Sequence, residues 1–61
     1  MLSFEESDKQ LTPSQKSELA RAVLDRANLP DDMTEAQRTF CMGLECYLEY
    51  ECRSDVEKYL L

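Results

Sequence analysis

The stretch Thr34-Glu35-Ala36-Gln37-Arg38-Thr39-Phe40-Cys41-Met42-Gly43-Leu44-Glu45-Cys46-Tyr47-Leu48-Glu49-Tyr50-Glu51-Cys52 decides the fold. Advanced by ~100° per residue, it places Ala36, Phe40, Cys41, Leu44, Tyr47, Leu48 and Cys52 on one stripe, with Met33 just ahead of them. No proline interrupts it, so the spacing predicts a helix over 34–52. Two capping boxes compete for its start, Asp32 with Glu35 and Thr34 with Gln37, and Asp31 and Asp32 favour a helix N-terminus electrostatically. The apolar arc is broad enough to cover a neighbouring helix.

That neighbour lies upstream. Thr12-Pro13-Ser14-Gln15 combines a cap, a proline with φ preset at the first helical position and a glutamine that closes the capping box. A helix is expected over 13–28, with Leu19, Ala20, Val23, Leu24 and Ala27 inward and Glu18, Arg21, Asp25 and Asn28 outward. Ala20 and Ala27 would let the second helix approach closely. Leu29-Pro30 ends the run, because a residue before proline is pushed out of the α region. A linker this short makes the two helices antiparallel neighbours, a helical hairpin.

Downstream, Ser54-Asp55-Val56-Glu57 is a further capping pattern, followed by apolar Val56, Tyr59 and Leu60. A break at 52–54 and a short third helix over 55–60 are expected. A straight continuation of the second helix would turn Glu51 and Asp55 toward the core. At the other end, Ser3-Phe4-Glu5-Glu6 could seed one turn, but a lone turn costs nucleation entropy. Residues 1–11 are therefore expected to be loosely ordered, with Phe4 docking on the core. The fold class is all-α in one small domain.

With the core stripe assigned, Met42, Gly43, Cys46 and Tyr50 remain as a second, narrower apolar seam on the long helix. A helix apolar on two sides asks for two neighbours, and a glycine inside a helix, unfavourable by ~1 kcal/mol, makes sense where another backbone comes close. A 61-residue chain buries only ~60% of its unfolded surface, so a second subunit would add what one core lacks. The seam, with Tyr59 and Leu60, is the expected partner or dimer interface, and the pair a homodimeric bundle.

Composition narrows the function classes. Thirteen acidic against seven basic side chains and no histidine leave a charge of -6, which repels nucleic-acid phosphates and disfavours direct binding to them. No apolar run approaches the ~20 residues of a membrane span, and no basic amphipathic face for lipid is present. Three cysteines without framework spacing, and an opening segment unlike a signal peptide, point to a reducing cytoplasm. On one helix Cys41 and Cys52 would lie roughly 16 Å apart with Cys46 pointing away, so they cannot share a metal ion. Cys41 and Cys52 read as small buried hydrophobes, and Cys46 as exposed. Glu45 and Glu49 share a helical face but project toward solvent, with Arg53 four residues beyond Glu49, so they form no acid–base dyad. No catalytic, cofactor or metal site is expected, and the chain does not read as an enzyme.

The segments Leu24-Asp25-Arg26-Ala27-Asn28-Leu29-Pro30-Asp31-Asp32 and Arg53-Ser54-Asp55-Val56-Glu57-Lys58-Tyr59-Leu60 resemble the short helical early proteins of the exo-xis region of lambdoid bacteriophages. The resemblance implies a non-enzymatic protein of the infected bacterial cytoplasm, acting through host or phage protein contacts. It further implies an influence on prophage induction or on host cell-cycle or replication control. The alternative is an acidic inhibitor or DNA mimic that occupies a nucleic-acid-binding protein through Glu45, Glu49, Asp55 and Glu57. Against it, the acids are interleaved with Arg21, Arg26, Arg38 and Arg53.

Overall fold

A computed structural model describes residues 2–26, 29 and 31–60. The described residues form four helices and no strand: α1 (Phe4–Gln10), α2 (Pro13–Asp25), α3 (Glu35–Glu49) and α4 (Arg53–Glu57). The chain is all-α, as its periodicity predicts. The long helix α3 is the centre of the molecule, since α1, α2 and α4 all pack on it.

Both long helices begin where the capping boxes place them. The Thr12 hydroxyl accepts from the Gln15 amide at 3.1 Å while the Gln15 side chain accepts from the Thr12 amide at 3.0 Å. Of the two competing boxes at α3, Thr34 with Gln37 forms, with its reciprocal bonds at 3.2 and 2.8 Å. Each box satisfies amides that a helix start leaves without intrahelical partners.

The helix ends fall earlier than periodicity predicts. α2 stops at Asp25 rather than 28, because Arg26 turns to φ 55° in the left-handed region and its amide folds back on Ala22 and Val23 carbonyls. The expectations for Ala27 and Asn28 lie outside the described residues. α3 stops at Glu49 rather than 52. Glu51 takes φ 61°, its amide donates to the Leu48 carbonyl at 3.1 Å, and the Cys52 amide donates to the Tyr47 carbonyl at 2.7 Å. This is the Schellman pattern of C-terminal capping, with glutamate where glycine is usual.

A break between α3 and a short last helix is present, but it falls at 50–52 rather than the predicted 52–54, and α4 spans Arg53–Glu57 rather than 55–60. The Schellman turn delivers Cys52 directly to the cap position, so Ser54 lies inside the helix instead of capping it. Lys58 and Tyr59 follow as a turn and Leu60 is irregular rather than helical, and Tyr59 and Leu60 still pack on the core. Cys52, expected within the α3 stripe, sits half-buried in the α3–α4 corner.

The largest departure is at the N-terminus, where α1 replaces the expected loose segment. Ser3 caps it by accepting from the Glu6 amide at 3.2 Å, and the buried Ser7 hydroxyl donates to the Ser3 carbonyl at 3.0 Å. Tertiary contacts offset the nucleation entropy. Phe4 docks as expected, stacking on Phe40 with centroids 5.2 Å apart and meeting the Tyr47 ring edge-on at 5.7 Å. Leu11 is buried, and Asp8 pairs with Lys16 of α2 at 3.0 Å.

The core comprises Leu11, Leu19, Ala20, Val23, Ala36, Phe40, Cys41, Leu44 and Val56. Phe40 is its hub, with Phe4 on one side and Tyr59 edge-on at 5.1 Å on the other. α1, α2 and α4 are thus all packed on α3, whose Met42 and Tyr50 are left exposed.

Candidate contact surface

The open side of α3 carries Met42, 67% exposed, and Tyr50, 79% exposed, at the helix cap. Cys46 lies exposed between them in sequence, one helical turn from Met42. Glu35, Arg38, Glu45 and Glu49 are the exposed charged residues of the same helix. Met42, Cys46 and Tyr50 therefore make an apolar strip edged by charge.

The other residues assigned to the interface turn inward. The space beside Gly43 is filled by this chain's own α1: a Cβ there would collide with Cδ2 and Cε2 of the Phe4 ring. The glycine does mark a close approach, but of the Phe4 side chain of this chain's own first helix rather than of a partner's backbone. Tyr59 lies against Phe40, with the Lys16 and Lys58 ammonium groups 5.8 and 5.4 Å from its ring centroid, and Leu60 packs on the same core. Burial, followed by the nearby Asp8, raises the Tyr59 phenol above its ordinary pKa.

The three cysteines occupy three environments. Cys41 is 3% exposed, and burial, reinforced by the Glu45 carboxylate, pushes its thiol up to about 11. It is protonated and inert as a nucleophile at neutral pH. The Cys52 thiol makes a long 3.6 Å contact to the Tyr50 carbonyl, and Cys46 faces solvent. Among the described residues no three potential metal ligands converge. No described helix is long and apolar enough to cross a membrane.

The four carboxylates of the acidic-inhibitor reading are divided by the fold. Asp55 is half-buried, and Glu57 pairs with Arg53 within α4 at 3.6 Å. Arg53 was expected to serve Glu49, but the corner at Glu51 carries it onto another helix. Glu45 and Glu49 stay together on α3, where they form one lip of an open groove of about 530 Å³ floored by Ala22, Val23, Leu29 and Leu48, with Arg26 opposite. The sequence reading places Val23 and Leu48 inward, and only the packing of α2 on α3 turns them into the floor of a groove.

Compared with known protein families, curated proteins and solved structures, the chain finds no match.

Proposed function

We propose that this chain is a non-catalytic regulatory protein of the early lambdoid-phage type, acting in the bacterial cytoplasm by pairing with itself and contacting a host or phage protein. Its effect falls on prophage induction or on host cell-cycle or replication control. The observation that carries the reading is the exposure of Met42 and Tyr50 beside Cys46, on the helix that organises the whole core. Large apolar side chains grouped on a rigid helix are the material of protein interfaces. Burying such a side chain contributes roughly 1.5–3 kcal/mol.

The test is sedimentation of the unmodified protein beside Met42→Ser/Tyr50→Ser. The unmodified chain should sediment above a 7.1 kDa monomer. The double variant should return to monomer with its helical circular dichroism unchanged, because neither side chain belongs to the core. In cells carrying a lambdoid prophage, expression of the unmodified protein should shift induction frequency and the double variant should not. A monomeric unmodified protein at all concentrations would overturn self-pairing. An induction frequency indifferent to both proteins would overturn the regulatory role.

A further inference from the structure

We infer that the groove between α2 and α3 is a second docking surface, distinct from the Met42/Cys46/Tyr50 strip, and that its occupant is a basic amphipathic helix of another protein. This deepens the reading above by naming the chemistry of the target, and it rests on that reading only for the claim that the chain works by protein contacts.

Three observations point to this occupant. The groove has apolar residues Ala22, Leu29 and Leu48 in its lining and is open to solvent rather than enclosed, so it suits the ridge of a helix better than an enclosed small molecule. Glu45 and Glu49 stand on one lip at i and i+4, the spacing at which a docked helix presents two Lys or Arg side chains. Neither carboxylate has an ion-pair partner among the described residues, so both are available to a partner's cations. The groove thus presents two carboxylates without an ion-pair partner among the described residues beside apolar side chains, on a chain of net charge -6. Arg26 on the far lip leaves the rim acidic by two to one. An acidic helix or a nucleic-acid backbone would meet repulsion there. A second copy of this acidic chain fits poorly for the same reason.

The probe is a synthetic amphipathic helix with leucines at i, i+3, i+4 and i+7 and lysines elsewhere, titrated into the full-length protein and followed by amide chemical shifts. Its counterparts are a scrambled peptide of the same composition and a leucine–glutamate peptide. Perturbations should centre on Ala22, Val23, Glu45, Leu48 and Glu49. Glu45→Gln/Glu49→Gln should weaken binding about tenfold, while Glu5→Gln/Glu6→Gln, an equal change of net charge on α1, should change it by less than about twofold. Ala22→Gln, which fills the trough without adding charge, should weaken it independently. Equal loss with both charge pairs, equal binding of the scrambled peptide, or perturbations confined to the Met42 strip would overturn the proposal. Since Met42→Ser/Tyr50→Ser leaves the groove intact, peptide binding should survive in that variant even where self-pairing is lost. Failure of one surface is thereby distinguishable from failure of the other.

Discussion

At Gly43 two preferences oppose each other. Alanine would improve the intrinsic helix propensity by ~1 kcal/mol, yet its methyl group would collide with the Phe4 ring, which Phe40 and Tyr47 hold in place. Overpacking of this kind costs roughly 1–3 kcal/mol, so Gly43→Ala should destabilise the protein and deprotect the α1 amides in hydrogen exchange. In a Phe4→Ala background the clash disappears, and the same change should instead stabilise by up to ~1 kcal/mol. The reversal of sign is the coupling that a double-mutant cycle measures. Additive effects would show that Phe4 does not occupy that site in solution. Cys41 supports a second prediction at this scale. Its folded pKa of about 11 lies above the ordinary 9.0, so the folded chain holds the thiol proton after the unfolded chain has released it. Its contribution is complete below pH 9 and is lost as pH rises through 11, a loss of about 2–3 kcal/mol. The raised Tyr59 phenol acts in the same direction. Thermal melts between pH 8 and 12 should show the decline, and Cys41→Ala should flatten it.

At the scale of elements, the C-terminal end of α3 determines where the last helix goes. The Schellman hydrogen bonds at Leu48 and Tyr47 require a left-handed residue at 51, and glutamate supplies it at φ 61°. A side chain in that region costs ~1–2 kcal/mol against a glycine, partly offset by the greater freedom glycine has in the unfolded chain. Glu51→Gly should therefore stabilise the protein by about 0.5–1 kcal/mol, read as a higher urea midpoint at unchanged m-value. A drop in stability would mean that the α3–α4 corner is not held by this turn. The same corner separates Arg53 from Glu49 and directs Val56 into the core, where it is fully buried. α1 is the converse case, a helix of seven residues too short to persist alone, held by Phe4, Leu11 and the Asp8–Lys16 pair.

At the scale of the whole molecule, α1, α2 and α4 packed on α3 make a core whose largest fully buried residues are Phe40, Leu44 and Val56. A chain of this size buries too little to be far from its stability threshold. Mass action then links association to folding: if the Met42 strip pairs two copies, the melting temperature should rise with protein concentration, and that dependence should vanish in Met42→Ser/Tyr50→Ser. The two proposed surfaces lie on the same helix but differ in kind. The strip is apolar and displays a thiol, whereas the groove is acidic at its rim.

The sequence by itself determined the helical class, the Thr12–Gln15 box, most of the core stripes of the two long helices and the existence of a break after α3, while it left two boxes open at the start of α3 and placed the break two residues late. Each determined feature depends on residues a few positions apart, where 3.6-residue periodicity and side-chain-to-backbone hydrogen bonds operate. The sequence also marked Gly43 as a place of close approach, but assigned that approach to the backbone of a partner rather than to the Phe4 ring of the same chain. Only the tertiary structure decided that Phe4 fills that space, that α1 is helical, that Tyr59 and Leu60 turn to their own core, and that Glu45 and Glu49 border a groove. Those outcomes join residues distant along the chain, and their free energy comes from burial and pairing that exist only once α1, α2 and α4 have closed on α3.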